Sequence, residues 1–171
     1  SSSMLDNQTT QSLFLKAYEE NADALFRFAY FRTQERERAI DLVQDTYLRV
    51  WGYIAKGETI DEFRAFLFRT LRNTIIDSDR QRATRNTGSL DEYIEQGKEF
   101  AEENSQKEYD TFDLERVVKL LNALEPETYR DAVHLRYIEG LSPKEVAGIL
   151  GVSENVVSVR VNRGIKKLQK L

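Results

Sequence analysis

The chain contains no cysteine and a single histidine, His134. A disulfide framework and a thiolate metal site are excluded, and one imidazole cannot build a histidine cluster. A nucleophile–base set has equally little to draw on, and acidic pairs such as Asp77/Asp79 or Glu102/Glu103 read as solvated surface. An enzyme is therefore not expected, nor a cofactor, a metal or a small-molecule substrate. With only two prolines and eight glycines among 171 residues, the turn punctuation of an all-β chain is missing, and helix is the expected state. No apolar run reaches the roughly 20 residues needed to cross a bilayer, and no basic-then-apolar leader is present. A soluble, cytoplasmic protein follows as the expectation, with 40 % hydrophobic residues to build packed cores.

What is abundant is charge, and it is unevenly placed. The net charge of −4 looks wrong for a nucleic-acid binder. Yet residues 87–125 hold 11 acidic and only 4 basic side chains, while 126–171 hold 8 basic and 5 acidic. Residues 63–86 carry six arginines against Asp77 and Asp79, and 152–171 carry five basic side chains against Glu154 alone. Acidity is thus concentrated in the middle, and each flanking part ends on a basic helix. Such blocks bear on partners rather than on fold.

Apolar residues from Leu13 to Phe31 fall at helical spacing, and Ala39, Leu42, Val43, Thr46, Tyr47, Val50, Trp51 repeat the pattern. Asp61 is a candidate cap for a third helix with the stripe Phe63, Phe66, Leu67, Leu71, Ile75. These three helices predict one bundle over 10–86. Residues 87–110 read as a flexible acidic linker, with a short helical turn at Leu90–Glu95. A second helical domain spans 111–171, with the stripe Leu114, Val117, Val118, Leu121, Leu124, then a helix from Pro126 to about Glu139 ended by Gly140. The expected fold is all-α, two small helical domains on one tether.

The last thirty residues carry the motif. Ser142-Pro143-Lys144-Glu145 is a capping box with proline at the first helical position. Gly151-Val152-Ser153 is a turn, and the next helix buries Val156, Val157, Val161, Ile165 and Leu168. Ser158, Asn162, Arg163 and Lys166 share its outer face, with Lys167 beside them. A capped helix, a glycine turn and a basic second helix form the layout that enters a DNA major groove.

Leu124-Glu125-Pro126, Val133–Ser142, Glu145-Val146-Ala147 and Leu150–Ser153 closely resemble the C-terminal domain of extracytoplasmic-function sigma factors. Asp41–Tyr47 with Trp51, and Phe63–Arg69 with Asn73, Asp77 and Arg80, resemble the family's N-terminal domain. The resemblance implies a factor that binds core RNA polymerase and directs promoter-specific transcription initiation, under the control of an anti-sigma factor. It implies polymerase contacts at Asp41, Gln44, Asp45 and Arg49. It implies capture of a flipped minus-ten base in the loop Lys56–Glu62 (Lys56, Gly57, Glu58, Thr59), with Arg72, Arg80 and Arg82 on the neighbouring phosphates. The minus-thirty-five element falls to Ser158, Asn162, Arg163, Lys166 and Lys167. Trp51, Phe63 and Phe66 are read as core, and His134 as a packed or surface residue without a role.

The recognition helix departs from the family pattern. Val156-Val157-Ser158-Val159-Arg160 stands where Thr-Val-Lys/Arg-Ser-Arg is usual, and Gly164-Ile165 where Ala-Arg is common. Arg163 then carries more of the readout. The departure also keeps open a rival, a sigma-like mimic that sequesters an anti-sigma factor without touching DNA. One further expectation concerns the linker, whose negative charge would lie across the basic helices and mask them until polymerase draws it away.

Overall fold

The structure, a computed structural model, describes residues 2–85 and 109–171. The expected turn at Leu90–Glu95, and most of the acidic linker with its masking role, lie outside the described residues.

Helix α1 (Ser2–Thr33) is longer than the Leu13–Phe31 stripe predicts. It buries Phe14, Leu25, Phe28 and Ala29, while Leu13 is turned to solvent. Helix α2 (Arg36–Ala55) buries Ala39, Leu42, Val43, Thr46, Val50 and Ile54, a stripe spaced at three and four residues. Helix α3 (Phe63–Arg85) sets Leu67, Leu71 and Ile75 fully inside. Its first turn closes on Glu62, whose carbonyl accepts from the Phe66 N–H at 3.1 Å. Asp61 therefore stands one residue too early to be the cap. Thr46 and Thr74 are buried yet satisfied, each hydroxyl bonding the carbonyl one turn back, Leu42 and Thr70. Trp51, Phe63 and Phe66 pack on this core rather than forming a stacking platform.

The second half starts with α4 (Tyr109–Asn122), so the helix takes in the last two residues assigned to the linker. Val118, Leu121 and Leu124 are buried, whereas Val117 is 44 % exposed and Leu114 lies outside the described side chains. Helix α5 (Glu127–Val133) runs into a wider π turn at His134–Ile138, and Gly140 reverses the chain at φ 68°. Helices α6 (Pro143–Leu150) and α7 (Glu154–Gln169) complete the fold.

Gly164 explains one departure in the sequence. A Cβ there would lie 2.7 Å from Val133 Cγ2 and 3.4 Å from Leu124 Cδ2, so α7 crosses α5 where only hydrogen fits. Val133 is β-branched and held in the core, so it has little room to yield. Gly164→Ala gains up to about 1 kcal/mol of helix propensity but overpacks this crossing by about 1–3 kcal/mol. The expected net outcome is a lower Tm in thermal unfolding, against the usual gain for glycine-to-alanine on a helix.

The two halves are not separate. Ala132, Leu135, Leu141, Val146, Ile149, Val157 and Val161 belong to the same buried cluster as Phe28, Leu67 and Leu71.

Candidate nucleic-acid interface

The helix-turn-helix is built as the sequence implies. Ser142 Oγ accepts from the Glu145 N–H at 3.2 Å, and its hydroxyl reaches Glu145 Oε1 at 3.3 Å. Gly151 adopts φ 68°, ψ 35°, the left-handed conformation that an L side chain resists. Its N–H and that of Val152 both donate to the Ala147 carbonyl. Ser153 Oγ then accepts from Val156 N at 3.2 Å and starts α7. Val157, Val161 and Gly164 face inward. Ser158, Asn162, Arg163 and Lys166 are exposed, as an outer reading face requires.

One expectation for α7 needs correction, and one of its lysines has a partner within the fold. Val156, expected inside, is 37 % exposed. Lys167 is exposed but bent back: its Nζ donates to the Glu125 carbonyl at 2.8 Å and sits 5.4 Å from the Tyr129 ring centroid. Lys167 therefore ties the end of α7 to the start of α5, and its charge is partly spent there.

In the first half, Lys56, Gly57, Glu58 and Thr59 are exposed in the loop between α2 and α3, where Gly57 has φ 89°. Arg80 is exposed. Arg82 lies 3.5 Å from Glu35. Arg72 is engaged elsewhere: its Nε donates to Asp131 Oδ2 at 2.9 Å, across the contact between the halves.

The residues expected to meet polymerase lie on the surface. Asp41, Gln44, Asp45 and Arg49 are all exposed on one side of α2. Arg49 bridges Asp45 at 3.4 Å and Asp77 at 3.0 Å, along a groove of about 370 Å³ between α2 and α3. Leu48, absent from the sequence assignment, projects from the same side with 63 % exposure. Its signal in the sequence was its place between Asp45 and Arg49, out of step with the buried stripe.

The contact between the halves dominates the electrostatics. Asp131 is 2 % exposed and accepts from Arg32 Nη1 at 2.9 Å as well as from Arg72. Arg32 also pairs with Glu127. Its guanidinium is held below its ordinary pKa by burial, which outweighs the pull of Asp131. Arg64 Nη1 meets Glu145 at 2.8 Å, beside a cleft of about 400 Å³. Asn122 donates from its side chain to the Phe31 carbonyl. Phe31 itself is buried among Val118, Leu121, Leu124 and Val133 of the second half. His134 packs edge-on against Phe28 and Phe31, with centroids 5.0 and 4.9 Å away.

Glu139 closes this contact. Arg27 Nε donates to both its oxygens, at 3.0 and 2.9 Å, and His134 Nε2 lies 2.7 Å from Oε2. Burial raises the carboxyl's pKa, but the hydrogen bonds from His134 and Arg27 outweigh it and hold it below 4.5. A carboxylate depressed on folding contributes stability above its unfolded value, and that stability is lost as pH falls through the folded one. The contact between α1 and the second half is therefore expected to weaken as acidification passes below about 4.5. Small-angle scattering against pH checks this, and Glu139→Gln should flatten the acid-dependent part.

Among the described residues no group of three or more His, Cys, Asp or Glu could hold a metal ion, and no helix is long and apolar enough to cross a membrane. The chain matches the family description Sigma-70 region 2 over residues 17–85 and Sigma-70 region 4 over 114–168. It is 32 % identical over 162 residues to the ECF RNA polymerase sigma factor SigL of Mycobacterium tuberculosis, covering 92 % of this chain and 88 % of that protein. It is 31 % identical over 140 residues to the RNA polymerase sigma factor SigZ of Bacillus subtilis, covering 82 % and 76 %. Among solved structures it resembles the sigma factor RpoE of Bartonella quintana, crystallised with the anti-sigma factor NepR. The TM-score is 0.67 at 26 % identity, over 92 % of this chain and 94 % of that one. The fold also matches CnrH, solved with the cytosolic domain of CnrY, at TM-score 0.70 and 24 % identity, over 98 % and 92 %. With region 2 on α1–α3 and region 4 on α4–α7, the chain belongs to the extracytoplasmic-function sigma factors of bacterial RNA polymerase.

Proposed function

We propose that the chain directs promoter-specific initiation by bacterial core polymerase, acting in the cytoplasm without chemistry of its own, and that the packed arrangement is its resting form. The observation that carries the reading is the pair of sites on one chain: an intact helix-turn-helix with an exposed basic face, and an exposed acidic-and-leucine face on α2. Region 2 then supplies polymerase contact through Asp41, Gln44, Asp45, Leu48 and Arg49. The minus-ten element falls to the Lys56–Thr59 loop with Arg72, Arg80 and Arg82. Region 4 supplies minus-thirty-five contact through Ser158, Asn162, Arg163, Lys166 and Lys167.

Both elements cannot be held by the packed form. Their centres lie 25 base pairs apart by name, roughly 85 Å at about 3.4 Å per pair. A packed chain of 171 residues has a radius of gyration of only about 16 Å. DNA this short is stiff, so the protein must open rather than the duplex close. Opening also releases Arg72 from Asp131 and Arg64 from Glu145. An anti-sigma partner, of the kind that accompanies the Bartonella structure, would act by holding the packed form.

Run-off transcription with core polymerase on a promoter library tests the reading. Discrete chain-dependent transcripts are expected. Tight binding to an anti-sigma factor with no transcript from any core would instead favour the mimic.

A further inference from the structure

The centre of the solvent face of α7 is apolar. Asn155, Val159, Asn162 and Lys166 follow one another at four, three and four residues, opposite the buried Val157, Val161 and Gly164. Val159 is 37 % exposed and lies in the middle of that line, with Ser158 and Arg163 on its flanks. Nothing in the fold asks for it there. A β-branched residue is a mediocre helix former, and its exposed surface contributes nothing to the core. Val156, one turn back, is equally exposed, but a docking face for an apolar partner would continue as a longer stripe, and the other exposed neighbours of Val159 are amides, a hydroxyl and cations. Five basic side chains follow Val159 to the end of the chain, and Glu154 is the one acidic residue of the helix. The matching surface is anionic and carries isolated methyl groups among amide-like edges. The major groove of duplex DNA has that character, with a methyl on each thymine and a paired acceptor and donor on each adenine.

We propose that Val159 and Asn155 determine sequence preference, Val159 by packing on a thymine methyl and Asn155 by a bidentate contact to an adenine. This rests on the assignment of α7 to the minus-thirty-five element. The two residues are four apart, a rise of about 6 Å along the helix, close to two base-pair steps of about 3.4 Å. Their bases therefore fall within the same two or three consecutive pairs, near the end of α7 that enters the groove. Neither residue belongs to the set Ser158, Asn162, Arg163, Lys166 and Lys167 from which readout by this helix is first inferred.

The test uses holoenzyme and a minus-thirty-five element selected by it from a randomised promoter library. Each thymine of that element is replaced in turn by deoxyuridine, which removes only the methyl, and each adenine by 7-deazaadenine, which removes only the N7 acceptor. One thymine should be found at which uracil weakens binding about fourfold, the loss expected for one buried methyl. Val159→Ala should lose a similar factor on the thymine duplex and be indifferent to uracil at that position. One adenine within two pairs of it should show the same pattern with 7-deazaadenine and Asn155→Ala. Both variants lie on an exposed helix face, and alanine favours the helix. Indifference of the wild type to uracil at every thymine, or equal sensitivity in Val159→Ala, would overturn the assignment of Val159. A selected element of G·C pairs alone would overturn both assignments. Selection of no element at all would remove the underlying reading with them.

Discussion

Phe31→Ala is expected to open the chain while leaving both halves folded. Phe31 sits at the end of α1, in region 2, yet its ring is buried among Val118, Leu121, Leu124 and Val133 of region 4. Truncating a buried phenylalanine costs about 3–5 kcal/mol, and here the loss falls on the contact between halves. That shifts the closed-to-open balance by a factor of about 10² to 10³ or more. The ion pairs beside it do not replace the loss. Arg32 and Asp131 are stable in their buried place only because they are paired, with each other and with Glu127 and Arg72, and both are well solvated once the halves part. Scattering should show the radius of gyration rising well above about 16 Å, with helix content by circular dichroism unchanged. A variant that loses helix content without expanding would show that Phe31 is core to one half rather than a plug between two.

The second large effect is expected at Leu48. With 63 % of its surface exposed, Leu48 contributes little to the fold, so Leu48→Asp should change stability by no more than about 0.5 kcal/mol. On the α2 face it is the most exposed large apolar group beside Asp41, Gln44, Asp45 and Arg49, with Ile40 38 % exposed at the edge. Central apolar anchors carry most of an interface's energy, so its loss should weaken core-polymerase binding by about 2 kcal/mol or more, roughly thirtyfold. Titration of labelled chain with core polymerase measures this beside a Tm for each protein. Unchanged affinity would move the docking face away from this side of α2.

Much of the architecture was legible in the sequence because it rests on local rules. The capping box at Ser142–Glu145 and the glycine at 151 are satisfied within one turn of chain, so the residues alone identify them. The same holds for the stripe on α2. Misreadings arose where a neighbour in space decides the outcome. Val156 fits an inward stripe by spacing, but α7 rotates so that Gly164 meets Val133, and Val156 turns out. The contacts of Lys167 to Glu125 and Tyr129 are likewise visible only once the fold places them together. His134 and Glu139 read as unremarkable helix residues, yet they form the buried polar seam against α1, from partners more than a hundred residues away. The resemblance assigns Arg72 to DNA, and only the fold adds its pairing with Asp131, 59 residues on.

The most direct measurement places one fluorophore on α2 and a second on the exposed face of α7, and reads their separation in the free protein and in the promoter-bound holoenzyme. The packed form and the stiffness of the promoter predict high transfer efficiency for the free chain and near-complete loss of transfer once both elements are held, roughly 85 Å apart. Unchanged transfer in a complex that is actively transcribing would contradict the account.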